Sequence, residues 1–394
     1  MKVGVDATSW GNSRGYGRYT RALLTAAVEL DRTNQYTFFV DRETPQFPLP
    51  TGVEVCRIAT GVPSTEAAGA HSHRSLADLW EVSAAIRRAR VDLIYFPTDY
   101  TYVPFYVGVP RLVTIHDTIF EQFPHLVFPS LRSKILYHAK VRSGIRQARL
   151  LITVSEFSHR QLVKRLRIPR SRLRLVSEAA DPAFRPIESP RANQLMRQWG
   201  IPGDARCLVY VGGFSPHKNL SMLLDVVRGL LQRDGFGDLK LVLVGDYTGD
   251  SFFSCYGELA RQVQRDKLQE HVIFTGRMED EDLVVLLNRC HALVLPSLCE
   301  GFGLPAVEAA ACGRPVLATT QSPLPQLLGE GMLAVDPADR AGWLNTIERV
   351  LTDDGLRRRM GQAALAAASQ LSWKNSARQL LAVFDEVHPN AAAA

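Results

Sequence analysis

Cysteine is sparse in this chain: Cys56, Cys207, Cys255, Cys290, Cys299 and Cys312 are scattered over 394 residues with no Cys-x-x-Cys pair. That spacing suggests neither a disulfide framework nor a zinc site. Long apolar runs are missing too. None approaches the ~20 residues a membrane span needs, and Met1 to Asp6 reads as a first β-strand without the apolar core of a signal peptide. These absences predict a cytoplasmic protein, free or peripheral at the inner face of the cytoplasmic membrane. Acid is nearly absent from one stretch: Arg132 to Arg174 holds thirteen Lys/Arg residues and the single acid Glu156. This reads as a basic face open to an anionic membrane, an anionic acceptor or nucleic acid. The stretch lacks interleaved aromatics expected to be exposed and any recognition motif, so nucleic acid is the poorest fit. Nothing in the sequence bears on oligomeric state.

What is present is the composition of a globular protein, 46% apolar and 22% charged, with length for two ordinary domains. Short apolar runs alternate with helical patterns in both halves. Six are expected as strands in the first half: Lys2 to Asp6, Tyr36 to Val40, Val53 to Ile58, Leu93 to Phe96, Arg111 to Ile115 and Leu150 to Val154. Six more follow: Cys207 to Val211, Lys240 to Val244, His271 to Phe274, Ala292 to Leu295, Pro315 to Ala318 and Met332 to Val335. Such β–α alternation predicts an α/β fold of two doubly wound, Rossmann-like domains facing across a cleft, with ligands at the carboxyl ends of the strands. A Pro-rich polar run, Asp181 to Pro202, marks the boundary. The expected division is a first domain over 1–183, a linker over 184–205 and a second domain over 206–371. An amphipathic closing helix follows over 372–388, with Asn390 to Ala394 as a disordered tail.

The most informative motif is Glu300-Gly301-Phe302-Gly303-Leu304-Pro305-Ala306-Val307-Glu308. It follows an apolar strand, and Pro305 suits a first helical turn. Glu300 is thus expected on a loop and Glu308 a turn into the helix. The amides of Gly301 to Leu304 would form an anion site at the helix N-terminus. Two carboxylates flanking an anion site suit a ligand with both hydroxyls and phosphate, such as a nucleotide sugar. Gly212 and Gly213 end another strand, and Lys218 at the next helix start would meet a diphosphate. His116 ends the strand Arg111 to Ile115, where it could hold structure or donate to a sugar hydroxyl. Gly15, Tyr16, Gly17 and Arg18 precede an expected helix, Arg21 to Leu30, and suit anion or acceptor binding. They lack the spacing of a dinucleotide fingerprint. Asp280, Glu281 and Asp282 mimic an Asp-x-Asp metal motif but read as a helix start.

Together these residues resemble the retaining glycosyltransferases of family 4, which have the GT-B fold. The resemblance covers nearly the whole chain and is most specific over Pro296 to Pro305, Glu308-Ala309, Gly313 and Pro315-Val316. It implies a hexose, with mannose the first choice, transferred from a nucleoside-diphosphate sugar to a glycan or lipid-linked acceptor. It also implies that Glu300 meets the sugar, that Gly301, Phe302, Gly303 and Leu304 help hold sugar and phosphate, and that Glu308 binds the ribose. Lys218 matches the diphosphate lysine, His116 the N-terminal-domain histidine and Arg277 the base-binding stretch. No cofactor or divalent metal is expected at the diphosphate. The chain departs from its relatives at Gly213 and His217, where many have an arginine, at Gln326, and at Glu178-Ala179-Ala180, where relatives read Asn-Gly before the Asp. A same-fold phosphorylase or epimerase, or an anionic-surface binding protein, are the competing readings.

Overall fold

A computed structural model describes residues 1–12, 14–41, 47–59, 76–102, 108–128, 130–247 and 254–387. The tail Asn390 to Ala394 lies outside the described residues. The chain divides into two compact units, Met1–Glu178 with the segment from Ser372, and Ala179–Leu371.

The first unit is built on seven strands: β1 (Lys2–Asp6), β2 (Gln35–Val40), β3 (Glu54–Arg57), β4 (Leu93–Phe96), β5 (Arg111–Thr114), β6 (Leu150–Thr153) and β7 (Leu173–Leu175). Their order is β3-β2-β1-β4-β5-β6-β7 and every pairing is parallel. Each residue of β4, β5 and β6 is buried, as expected of parallel strands covered on both faces. Strand β7 was not expected. It is three residues long, has Arg174 at its centre and lies on the sheet edge, where a cation can reach solvent.

Six strands form the second unit: β8 (Cys207–Val211), β9 (Lys240–Val244), β10 (Val272–Gly276), β11 (Ala292–Leu295), β12 (Val316–Thr319) and β13 (Met332–Val335). They too are all parallel, in the order β10-β9-β8-β11-β12-β13. Central Leu293 pairs with Val209 on one side and Val316 on the other. Both sheets change direction of winding beside their first strand, between β1 and β4 and between β8 and β11. At such a switch point the two flanking loops diverge and leave a crevice beyond the strand ends.

Helix α1 (Gly15–Leu30) begins six residues before the expected Arg21. Gly17 permits this, because a Cβ there would lie 2.0 Å from the Asn12 carbonyl oxygen. Helices α2 (Leu131–Gln147) and α3 (Glu156–Leu166) carry much of the basic stretch. The stretch is not one face, however. Arg172 donates to the Ile145 and Ala148 carbonyls, Lys140 to the Tyr100 carbonyl, and Arg174 pairs with Glu386. In the second unit, α4 (Leu220–Leu231) buries Leu220, Leu223, Leu224 and Val227, and α5 (Leu304–Ala311) follows β11. The closing helix α6 (Trp373–Val387) belongs to the first unit and packs on α1. Its Trp373 ring meets Tyr19 and its Phe384 ring meets Tyr95. No described helix is long and apolar enough to cross a membrane.

Candidate functional site

The second unit's switch point gathers Lys218, Ser297 and Glu300. Gly212 leaves β8 with φ +153°, and a Cβ there would lie 2.7 Å from the Tyr210 hydroxyl, so only glycine fits without displacement. That hydroxyl donates to the Gly213 carbonyl at 2.6 Å. The chain then makes a 3-10 turn, Pro216–Lys218, so Lys218 precedes α4 instead of starting it. Asn219 adopts a left-handed conformation (φ +58°) and its amide nitrogen donates to the carbonyls of Pro296 and Pro337. The Leu298 amide donates to the His217 carbonyl at 2.8 Å. These bonds stitch the loop after β8 to the loop after β11.

The stitching brings two distant charges together. Lys218 Nζ lies 2.8 Å from Glu300 Oε1, and Ser297 Oγ donates to the same oxygen at 2.6 Å. Ser297 is fully buried and Glu300 only 7% exposed, while the Lys218 side chain keeps 20% exposure. The Glu300 amide donates to the Gln321 carbonyl. Ser297 therefore fixes the carboxylate, a role the sequence did not reveal. Gly303 (φ +90°) caps α5 with its carbonyl, and a Cβ there would lie 2.9 Å from Leu324. The first turn of α5 itself contains no acid that would offset its positive end. Phe302 and Leu304 are buried; Glu308, one turn into α5, is 1% exposed. Arg277 stands apart. It follows β10, two strands beyond β8, exposed and 3.6 Å from Glu279. Asp280, Glu281 and Asp282 occupy the first turn of the helix Asp280–Arg289, where acids favour the dipole.

The first unit places His116 just beyond β5. Its Nε2 lies 3.0 Å from the Pro97 carbonyl oxygen and its Nδ1 3.4 Å from Glu178 Oε1. Tyr19 packs edge-on against the ring at 4.7 Å. Both ring nitrogens thus face protein oxygens in this structure. Glu178 lies 62 residues along the chain from His116, so the sequence did not reveal this pairing. Tyr16 and Gly17 are buried, with the Tyr16 ring 5.4 Å from that of Tyr100. Gly15 is exposed and Arg18 half-buried. Beside His116, burial pushes Asp99 up to about 6 against the opposing charges of Lys140 and His116 itself.

Burial alone would lower the His116 pKa; the hydrogen bond and charge of Glu178, aided by Asp99, outweigh it and raise the value above 6.5. A histidine raised on folding adds stability that is complete below its unfolded pKa and lost as pH rises through its folded pKa. In Glu178→Gln the His116 pKa, followed by NMR, should fall. The stability deficit of the variant should be largest below pH ~6.5 and shrink at higher pH. An unmoved titration would show that Glu178 does not set the charge of the ring.

Comparison with known proteins follows the same division. Residues 13–184 match the profile described as Glycosyltransferase Family 4, and residues 192–366 that described as Glycosyl transferases group 1. The chain is 35% identical over 219 residues to a D-inositol 3-phosphate glycosyltransferase of Corynebacterium efficiens, covering 55% of this chain and 51% of that one. It therefore spans about half the length of that relative. To O-antigen chain mannosyltransferase B of Escherichia coli it is 28% identical over 288 residues, covering 72% and 73%. Sucrose-phosphate synthase from Thermosynechococcus elongatus superposes with a TM-score of 0.77 at 20% identity, over 98% of this chain and 99% of that one. Anabaena Alr3699/HepE, whose crystal structure is in complex with UDP-glucose, gives 0.74 at 19% identity over 98% and 99%. At these identities the likeness shows the fold.

Proposed function

We propose, since the chain belongs to glycosyltransferase family 4 and has its GT-B fold, that it moves a hexose from a nucleoside-diphosphate sugar to a hydroxyl acceptor with retention of configuration. The observation that carries this reading is Lys218 paired with Glu300 at the switch point of the second sheet, beside the N-terminus of α5. An ammonium and a helix end suit a diphosphate; a fixed carboxylate suits sugar hydroxyls. Glu308 is assigned to the ribose, Gly212, Gly213 and Gly301 to Leu304 to phosphate and sugar, and Arg277 to the base. His116 is assigned to the reacting sugar and the first turn of α1 to the acceptor.

In the proposed step the bond from C1 to the diphosphate oxygen breaks, and the acceptor oxygen bonds to C1 on the same face. The acceptor proton passes to the departing diphosphate, so no protein nucleophile is required. Positive charge for the leaving group comes from Lys218 and backbone amides, with no divalent metal in the reading. GDP-mannose is the proposed donor and a glycan or lipid-linked saccharide the proposed acceptor. The name of the O-antigen chain mannosyltransferase relative supports mannose as the sugar and a glycan as the acceptor.

The test is a donor panel scored by nucleotide release with and without acceptors. GDP-mannose should react fastest, and nucleoside diphosphate should appear only when acceptor is added. Turnover without acceptor would point to hydrolysis, phosphorolysis or epimerisation instead. Calorimetry showing no binding of UDP or GDP would remove the reading altogether.

A further inference from the structure

Helix α2 has an outward face unlike that of an ordinary surface helix. Leu131, Ile135 and Leu136 are 73%, 58% and 42% exposed. Arg132, Ala139, Arg142 and Arg146 are exposed with them. At 100° per residue all seven fall on one arc of the helix, with the large aliphatics and Arg132 in the first two turns and Arg142 and Arg146 further along. The helix contains no acid. Its inner side is already committed: Ser133, Val141 and Gly144 are buried. Burial, with the charges of Arg142 and Lys134, holds His138 below its ordinary value.

The neighbouring helix extends the charge. The connections β5–α2–β6 and β6–α3–β7 step the same way across the sheet, and right-handed crossovers put α2 and α3 on the same sheet face. Arg165 of α3 donates to Gln122, and Arg160, Lys164 and Arg165 are exposed. Glu156 is the only acid in α3. Exposed leucines and isoleucine on adjacent turns are unfavourable in water and mark a covered surface. An anionic bilayer satisfies both components. Aliphatic side chains enter the boundary between headgroups and acyl chains while arginines meet lipid phosphates. Single-stranded nucleic acid fits less well, because it needs stacking aromatics. Here the Tyr137 ring stacks inward on Phe120 at 4.7 Å.

We infer that the outward face of α2, centred on Leu131, Ile135, Leu136, Arg132, Arg142 and Arg146, docks the protein on an anionic lipid surface. The inference concerns where the chain works and is independent of the donor and acceptor proposed above. The test is flotation of the full chain with vesicles of phosphatidylcholine alone or mixed with phosphatidylglycerol. Binding should require the anionic lipid and fall as salt rises. Arg132→Gln/Arg142→Gln/Arg146→Gln should weaken it at least ~ten-fold. Leu131→Ser/Ile135→Ser/Leu136→Ser should do likewise without lowering the melting temperature, since the side chains removed are exposed. Equal binding to neutral vesicles, no vesicle binding, or binding that survives either triple substitution would overturn the inference. Tight binding to single-stranded RNA in place of vesicles would assign the face to nucleic acid.

Discussion

Lys218→Ala should weaken nucleoside-diphosphate binding about a hundred-fold and slow transfer at saturating donor by at least ten-fold more. Two effects combine. On the proposed assignment the diphosphate loses the Lys218 ammonium, and Glu300, buried and 2.8 Å from Lys218 Nζ, loses its counter-charge. Breaking a buried pair costs about 3–5 kcal/mol. Lys218 keeps 20% exposure and Glu300 retains Ser297, so about 2 kcal/mol of folding stability is expected here. Calorimetry with GDP and UDP measures the first effect and thermal melting the second. Lys218→Ala/Glu300→Gln separates them, because neutralising the stranded carboxylate should recover the melting temperature but not nucleotide affinity. Unchanged nucleotide affinity in Lys218→Ala would take the diphosphate away from this lysine.

Glu300 and Glu308 should fail differently when replaced. Glu300→Gln keeps the shape of the side chain but removes the charge that Lys218 and Ser297 position. Turnover should fall about 10²–10³-fold, as for loss of a group aimed at developing charge, with donor affinity changed only a few-fold. Glu308→Gln should instead weaken donor binding by about ten- to hundred-fold, the range for charge-assisted bonds to ribose hydroxyls, and leave turnover at saturating donor nearly intact. Glutamine suits Glu308 because this side chain is 1% exposed, where alanine would open a cavity. Steady-state kinetics across donor concentration, with calorimetry, distinguishes the two patterns. Equal loss of turnover in both variants with donor affinity untouched would contradict the division of labour along the donor.

Twelve of the strands were legible as short runs between turn residues; the central ones are apolar because burial on both faces demands it, while β3 is a largely exposed edge strand. Strand β7 was not, since Leu173-Arg174-Leu175 is too short and too charged to stand out, and only the sheet edge makes it possible. The start of α1 was misplaced because Gly15 and Gly17 read as loop residues. The close approach of Gly17 to the Asn12 carbonyl, five residues back, is a turn geometry that residue propensities do not show. In the site, Lys218 and Glu300 were each readable from a preceding strand. Their meeting depends on β8 lying beside β11, although β9 and β10 intervene in sequence. Ser297 and Glu178 were missed for the same reason: nothing in a lone serine or an irregular segment names its partner. The basic stretch was overread as a single face, because charge counts do not show that Lys140, Arg172 and Arg174 turn to protein groups.

The return of α6 to the first unit sets an order of events during synthesis. Residues 1–178 leave the ribosome first, with the Tyr19 and Tyr95 rings still lacking Trp373 and Phe384. Those partners emerge only after the entire second unit, 179–371, has been made. Of the two units, the one made first is therefore finished second. The second unit, continuous in sequence, can close its own core while the first still waits for its final helix.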